Sequence, residues 1–354
     1  MTHPTLAATL AEIREPDRHV AEHVQRLLDA KTKPRRSLGR LEDLASQVAA
    51  IRGTPAPGPL AKAIVVMAAD HGVAAEAVSA YPQEVTRQML RNFARGGAAI
   101  NVLARQAGAR LVVVDMGVAV ALPDEPALRA HRIAAGTANL AHGPAMTRAQ
   151  ALAAIEAGIA IARELADDGI GVLGLGEMGI ANTTAASALT AALTGAEPEA
   201  VTGRGTGIDD AAIARKRQVV RAAIARSRPD PGDPLGVLAA LGGFEIAGLV
   251  GVTLGGAAAG IPVVVDGFIS GAAALVATRL APAVAGALVC AHRSVEIGHR
   301  HVLAALGREP LLDLELRLGE GTGAALAMPL IDAALAILAD MASFSEAGVT
   351  DRGA

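Results

Sequence analysis

The sequence predicts an α/β fold built on a parallel sheet, and three observations predict it. Five short apolar runs, mostly rich in β-branched residues, recur along the 354-residue chain. Segments with the 3.6-residue helical period lie between them. Both ends of the chain carry the helical pattern alone. Continuous apolar runs suit strands buried on both faces, and strands alternating with helices join through right-handed crossovers.

Residues 5–52 read as helices, interrupted at Pro16 and at the turn KTKPRRSLGR. Val20, Val24, Leu27 and Leu28 form one stripe there, and Leu41, Leu44, Val48 and Ile51 another. Strand runs follow at 63–67 (AIVVM), 111–114 (LVVV), 169–175 (GIGVLGL), 261–265 (IPVVV) and 287–290 (ALVC). Leu152, Ile155, Ile159 and Leu165 share a helix face within 148–166. Ile213, Val220 and Ile224 do so within 209–226, behind Asp209 as N-cap. Segment 324–343 is helical again, with Leu330, Ile337, Leu338 and Met341 on one side. The organisation expected is a small helical lobe from 1–55 and 324–354 beside a sheet domain spanning 56–323.

Composition narrows the function. The chain is 52% hydrophobic, with four Phe, one Tyr and no Trp, so base-stacking platforms are scarce. A net charge of −3 without a basic stripe argues against nucleic acid. One cysteine, Cys290, leaves no internal disulfide and fits a cytoplasmic protein. The N-terminus has no signal-type apolar run. Residues 246–265 carry no charge over a length that could span a bilayer, but five glycines and Pro262 parse them as helix, turn and strand. No membrane is expected.

Each apolar run ends in polar or glycine-rich residues: Asp70-His71-Gly72, Asp115-Met116-Gly117, Gly176-Glu177-Met178-Gly179, Asp266-Gly267 and His292-Arg293-Ser294. Ligands of open parallel sheets bind beyond the carboxyl ends of strands. Singly, such residues make turns; together they favour a shared site.

In GLGEMGIANTT, Gly174, Gly176 and Gly179 satisfy the dinucleotide pattern G-x-G-x-x-G. Glu177 inside the loop opposes a pyrophosphate. A single phosphate fits better, held by the glycine amides and a helix N-terminus with Asn182 and Thr183 nearby. A second loop, TGRGTGIDD, brings Gly203, Gly205 and Gly207, and Lys216 follows on a helix. Lys216 is either a solvated lysine or the cation for that phosphate. Glu320, in RLGEGTG, is either a helix cap with a low pKa or a base in a dry pocket. His292, Glu296 and His299 have the spacing of one helix face, as in a metal site, but Gly298 interrupts it and no second cluster completes a ligand set.

The ordered set GEMGIANTTAAS, TGRGTGIDD, LGGFEIAGLVG, VVDGFISG, AHRSVEIGHR and LDLELRLGEGTGAALAMPL resembles the nicotinate-nucleotide–dimethylbenzimidazole phosphoribosyltransferases. So do ADHGVAAEAVSAYPQEVT, GGAAINVLARQAGA and RIAAGTANLAHGPAMT. The resemblance runs from about residue 31 to about residue 345. It implies a Rossmann-like parallel sheet domain with a small helical domain, a homodimer, and neither metal nor redox cofactor. It implies Glu320 as general base and Glu177 as the carboxylate facing the ribose. Gly179, Gly205, Lys216 and Ser294 match positions near the phosphate, and Tyr81, Gln88 and Leu318 fall in segments lining the base pocket. The chain departs from the family at Arg35-Arg36, in a turn that usually reads KPPGSLG, and at Ala181, where glycine is common.

The activity implied is transfer of the phosphoribosyl group of nicotinate mononucleotide to 5,6-dimethylbenzimidazole, in making the lower ligand of cobalamin. The pyridinium leaves readily, so an oxocarbenium-like transition state needs a fixed negative charge and one base. Rival readings are another acceptor (a purine, azole or phenol), a nucleotide sensor without turnover, and a nicotinamide-dinucleotide dehydrogenase.

Overall fold

A computed structural model of the chain describes residues 5–122, 125–205 and 207–350. The tips of the expected helical lobe, 1–4 and 351–354, and Thr206 of the second glycine loop lie outside the described residues.

Three helices open the chain: α1 (Leu6–Glu12), α2 (Arg18–Asp29) and α3 (Arg40–Arg52). Strand β1 (Ala61–Ala69) precedes α4 (Glu84–Ala94), α5 (Ala99–Gln106), β2 (Ala109–Gly117) and β3 (Leu128–Ala130). Next come α6 (Arg148–Asp167), β4 (Ile170–Met178), α7 (Asn182–Thr194), α8 (Pro198–Val201), α9 (Asp210–Ser227), α10 (Pro234–Leu241) and α11 (Phe244–Ala258). The chain finishes with β5 (Val263–Val265), α12 (Phe268–Leu280), β6 (Leu288–Cys290), α13 (His299–Leu306), α14 (Thr322–Asp340) and α15 (Phe344–Ala347). All five expected strands are present. Asp209 caps α9 as expected, accepting from the Ala212 amide at 2.8 Å.

The six strands form one parallel sheet in the order β3-β2-β1-β4-β5-β6. This is the Rossmann order, with its switch point between β1 and β4. The unexpected strand, β3, has no buried residue and is fixed by pairing with β2 at one edge.

Alternate residues of β1 feed two cores. Ala63, Val65 and Met67 pack among α6, α7, α11 and α12. Ile64 and Val66 pack among α2, α3, α5 and α14. The charge-free run becomes α11, a turn at Gly260, and β5. Residues 244–257 of α11 are buried throughout. Its glycines let it touch α6 backbone to backbone: a Cβ on Gly251 would lie 1.9 Å from the Ile155 carbonyl oxygen. Helix α14 is long and apolar enough to cross a bilayer by length and composition; here Met328, Ile331 and Leu335 pack toward the sheet with Ile64 and Val66.

The two chain ends meet. Lys31 and Ser343 form an antiparallel bridge, and the Phe344 amide donates to the Ala30 carbonyl at 3.0 Å. Helices α2, α3 and α14 share one core with the sheet. Helix α1 does not join them: Leu6, Leu10 and Ile13 pack on the opposite face, and Glu12 pairs with Arg163 at 2.7 Å.

Candidate active site

A cavity of about 390 Å³ opens beyond the carboxyl ends of β4, β5 and β6. It takes Glu177 from the end of β4, Asp266 from the turn after β5, and His292, Ser294 and Glu296 from the segment after β6. The other strand ends make turns instead. Asp70, after β1, accepts the Ala119 amide at 2.7 Å. Asp115 accepts the amides of Gly117 and Val118 and pairs with Arg132 at 2.8 Å. The site is therefore built on one half of the sheet.

The glycine pattern has a packing cause. Gly174 and Gly176 lie within β4. A Cβ on Gly174 would meet Met328 of α14 at 2.8 Å, and one on Gly176 would come 2.5 Å from the Glu320 carbonyl oxygen. These glycines let α14 and the Glu320 loop close onto the sheet, which leaves no open cradle there for a pyrophosphate. Gly179 turns the chain against the Ala69 carbonyl, where a Cβ would sit at 2.6 Å. Ala181 takes φ +76°, a left-handed conformation that costs a non-glycine residue roughly 1–2 kcal/mol. It has no side-chain oxygen to cap α7; the Asn182 and Thr184 amides donate to the Gly179 and Ala181 carbonyls at 3.0 and 2.9 Å, and Asn182 and Thr183 line the cavity. Arg35 and Arg36, the other departure, do not line the cavity.

Lys216 is 1% exposed, which removes the solvated reading. Its Nζ donates to Thr183 Oγ1 at 2.7 Å. Burial pushes its pKa down to about 8, and the Glu296 charge works against that fall. Gly205, at φ +53°, lies against the same pair: a Cβ there would sit 3.1 Å from Nζ and 3.0 Å from Oγ1. A buried cation and a hydroxyl beside a helix N-terminus can hold a phosphate. Ser294 lines the wall; its amide donates to His299 Nδ1 at 2.9 Å. Gly203 faces a neighbouring cleft, and a Cβ on it would strike the Glu296 carboxylate at 2.3 Å.

Glu320 sits at φ +62° between Gly319 at +82° and Gly321 at +90°. Asp266, rather than Glu320, caps α14: it accepts the amides of Gly321, Gly323 and Ala324 at 3.1, 2.7 and 3.2 Å. Glu320 reaches across to α5, where Oε2 accepts the Ile100 amide at 3.3 Å. Burial nevertheless holds its pKa above the carboxylate range. Burial pushes Glu177 up to about 8, opposed by a hydrogen bond from Asn182 and aided by the charges of Glu245, Asp266 and Glu320. Asp266 is pushed up to about 7, again by burial.

Tyr81 and Leu318 line the cavity from exposed positions. Gln88 is exposed on α4 and does not line it; Val85 and Met89 of the same helix do. His292, Glu296 and His299 share no helix face, because the chain is irregular until α13 begins at His299. Sequence pattern gives Asp266 only a place among the strand-end residues and Glu296 only a metal-like spacing. The signal for Asp266 was present, a carboxylate directly after an apolar run.

The phosphoribosyltransferase family model matches residues 13–349. Among curated relatives, the nicotinate-nucleotide–dimethylbenzimidazole phosphoribosyltransferase of Roseiflexus sp. (strain RS-1) is 56% identical over 98% of this chain and 98% of its own length. The enzyme of that name from Geobacter metallireducens is 56% identical over 97% and 98%. A crystal structure of that enzyme from Thermus thermophilus superposes with a TM-score of 0.90 at 51% identity, covering 95% of this chain and 99% of the other. A match that spans the whole sheet, every wall of the cavity and most of the end helices makes this chain a member of the phosphoribosyltransferase family.

Proposed function

We propose that the chain transfers the 5-phosphoribosyl group of nicotinate mononucleotide to 5,6-dimethylbenzimidazole. The products are α-ribazole 5′-phosphate and nicotinate, within the nucleotide-loop assembly of cobalamin. The carrying observation is that Glu177 and Glu320, both held above the usual carboxylate range by burial, share one cavity with Thr183, whose hydroxyl accepts from the buried Lys216 behind it.

Lys216, Thr183, the N-terminus of α7 and the loop at Gly205 hold the phosphate. The free enzyme keeps Glu177 largely neutral near pH 7, and the arriving pyridinium gives its ionised form a partner. Glu177 then stabilises the positive charge that spreads over C1′ and the ring oxygen. The benzimidazole nitrogen attacks C1′ from the face opposite the departing nicotinate and inverts the centre. The electrons of the broken C1′–N bond neutralise the pyridinium. The other ring nitrogen loses its proton to Glu320, a base whose raised pKa suits it to the task. Tyr81 and Leu318 border the acceptor base. The same reading takes the enzyme to be a cytoplasmic homodimer.

The test mixes purified protein, nicotinate mononucleotide and 5,6-dimethylbenzimidazole without added metal, and follows nicotinate by chromatography. The expected result is nicotinate release that depends on the added base, with α-ribazole phosphate appearing in step. Nucleotide binding without release would overturn the transfer to this acceptor.

A further inference from the structure

We propose that Glu296 reads the ribose: its carboxylate accepts a hydrogen bond from the 3′-hydroxyl of the bound nucleotide and selects against substrates that lack it. The proposal rests on the nucleotide reading above and adds a residue to it.

Among the described residues, four carboxylates line the cavity: Glu177, Asp266, Glu296 and Glu320. Three have hydrogen-bond donors. Asn182 serves Glu177, three backbone amides serve Asp266, and the Ile100 amide serves Glu320. Glu296 is 8% exposed, and among the described residues no donor reaches its carboxylate. Its Oε2 is sealed against Gly203, where any Cβ would come within 2.3 Å, which leaves Oε1 as the oxygen available to a ligand. A buried carboxylate without a donor is costly, and such a group is explained when a ligand supplies the donor.

The substrate has few donors to supply. Near neutral pH its phosphate and carboxylate groups act mainly as acceptors, and its pyridinium nitrogen carries no hydrogen. The two ribose hydroxyls are what remain. Position selects between them. Glu296 lies toward the phosphate end: it acts electrostatically on Lys216, and it abuts the glycine loop whose Gly205 touches Lys216. Glu177 and Glu320 mark the C1′ end. Of the two hydroxyls, the 3′ is nearer the phosphate, because C3′ adjoins the carbon that carries the phosphate arm. Sites built to bind a substrate hydroxyl reject the analogue lacking it, since the protein group is then left unpaired.

The experiment measures kcat/KM with 5,6-dimethylbenzimidazole for nicotinate mononucleotide and its 2′-deoxy and 3′-deoxy analogues, on wild type, Glu296→Ala and Glu296→Gln. Wild type should lose about 10- to 100-fold on the 3′-deoxy nucleotide, the scale of a hydrogen bond to a charged group. Glu296→Ala should lose a similar factor on the ribonucleotide and treat ribo and 3′-deoxy alike, while keeping wild-type discrimination against the 2′-deoxy analogue. Glu296→Gln, which keeps the shape and one acceptor oxygen, should fall between, and it carries the test if the alanine variant does not fold. Equal losses on ribo and 3′-deoxy nucleotides would overturn the proposal and leave Glu296 as an electrostatic partner of Lys216. Loss of discrimination against the 2′-deoxy analogue instead would overturn the 3′ assignment. If wild type turns nothing over, the transferase reading fails by itself. Calorimetric affinities of the three nucleotides for the same proteins then decide the Glu296 proposal.

Discussion

Glu177 and Lys216 are both brought to about pH 8 by burial, one from below and the other from above. The nucleotide needs Glu177 ionised and Lys216 protonated. Protonation of Glu177 lowers kcat/KM as pH falls below about 8, and deprotonation of Lys216 lowers it as pH rises above about 8. The expected profile for the nucleotide is a narrow bell near pH 8. Initial rates at low nucleotide from about pH 6 to about pH 10 check this, and a flat profile would remove both assignments. Glu320→Gln should cut kcat by about 10²–10⁴-fold, the worth of a positioned base, with little change in KM for the nucleotide. Near-normal kcat would take Glu320 out of the base role. Both glutamates were legible because glycines stand close on either side of them, although Glu177 closes β4 itself rather than lying in the loop the pattern suggested. Glu296 was not, because spacing alone placed it in a metal-like triplet on a helix that does not form. Nor was the exposure of Gln88, which depends on how α4 is rotated over the cavity.

At the scale of elements, the crossing of α6 and α11 carries the most exacting contact. Gly158 and Gly251 bring the two backbones together: an added methyl would lie 2.0 Å from the Gly248 carbonyl oxygen or 1.9 Å from that of Ile155, and no side chain there can move aside for it. Gly251→Ala should therefore destabilise by about 3 kcal/mol, at the upper end of ordinary overpacking. Gly143→Ala, at a position with open space and negative φ, should stay within about 0.5 kcal/mol. Urea midpoints of the two variants check this; a Gly251→Ala midpoint equal to wild type would mean the helices separate freely. The five strands and the long helices were legible from β-branched runs and from 3.6-residue periodicity. Strand β3 was not, since Leu128-Arg129-Ala130 becomes a strand through pairing with β2 rather than through its own pattern. The side taken by α1 was equally hidden. Leu6, Leu10 and Ile13 declare an apolar stripe, but which sheet face it covers depends on the path of the chain past Pro16.

The whole molecule bears the strain of collecting these carboxylates in one dry site. Unfolded, Glu177 and Asp266 titrate near the ordinary carboxylate value of about 4. Folded, they titrate at about 8 and about 7. A carboxylate with a raised folded pKa contributes stability below its unfolded value and loses it as pH rises through the folded value. Three histidines oppose this trend at lower pH. Burial pushes His299 down to about 3 and lowers His131 and His292, so their contribution grows as the unfolded histidines lose protons toward about pH 6.5. About one unit above that pH the histidines are neutral in both states, while the carboxylates go on losing stability up to about pH 8, near which Lys216, held below its ordinary value in the fold, begins to oppose them. The substrate-free protein should therefore melt at a lower temperature at about pH 8 than at about pH 6.5. Glu177→Gln, which keeps the protonated shape and accepts from Asn182, should show a smaller drop and exceed wild type at about pH 8, at the expense of activity. Nicotinate mononucleotide should raise the wild-type midpoint more at about pH 8 than at about pH 6.5, because its pyridinium favours the ionised Glu177 that the empty site disfavours. Melting curves of both proteins at the two pH values, with and without the nucleotide, decide it. A wild-type midpoint that rises between them would mean that the cavity already neutralises these carboxylates before substrate arrives.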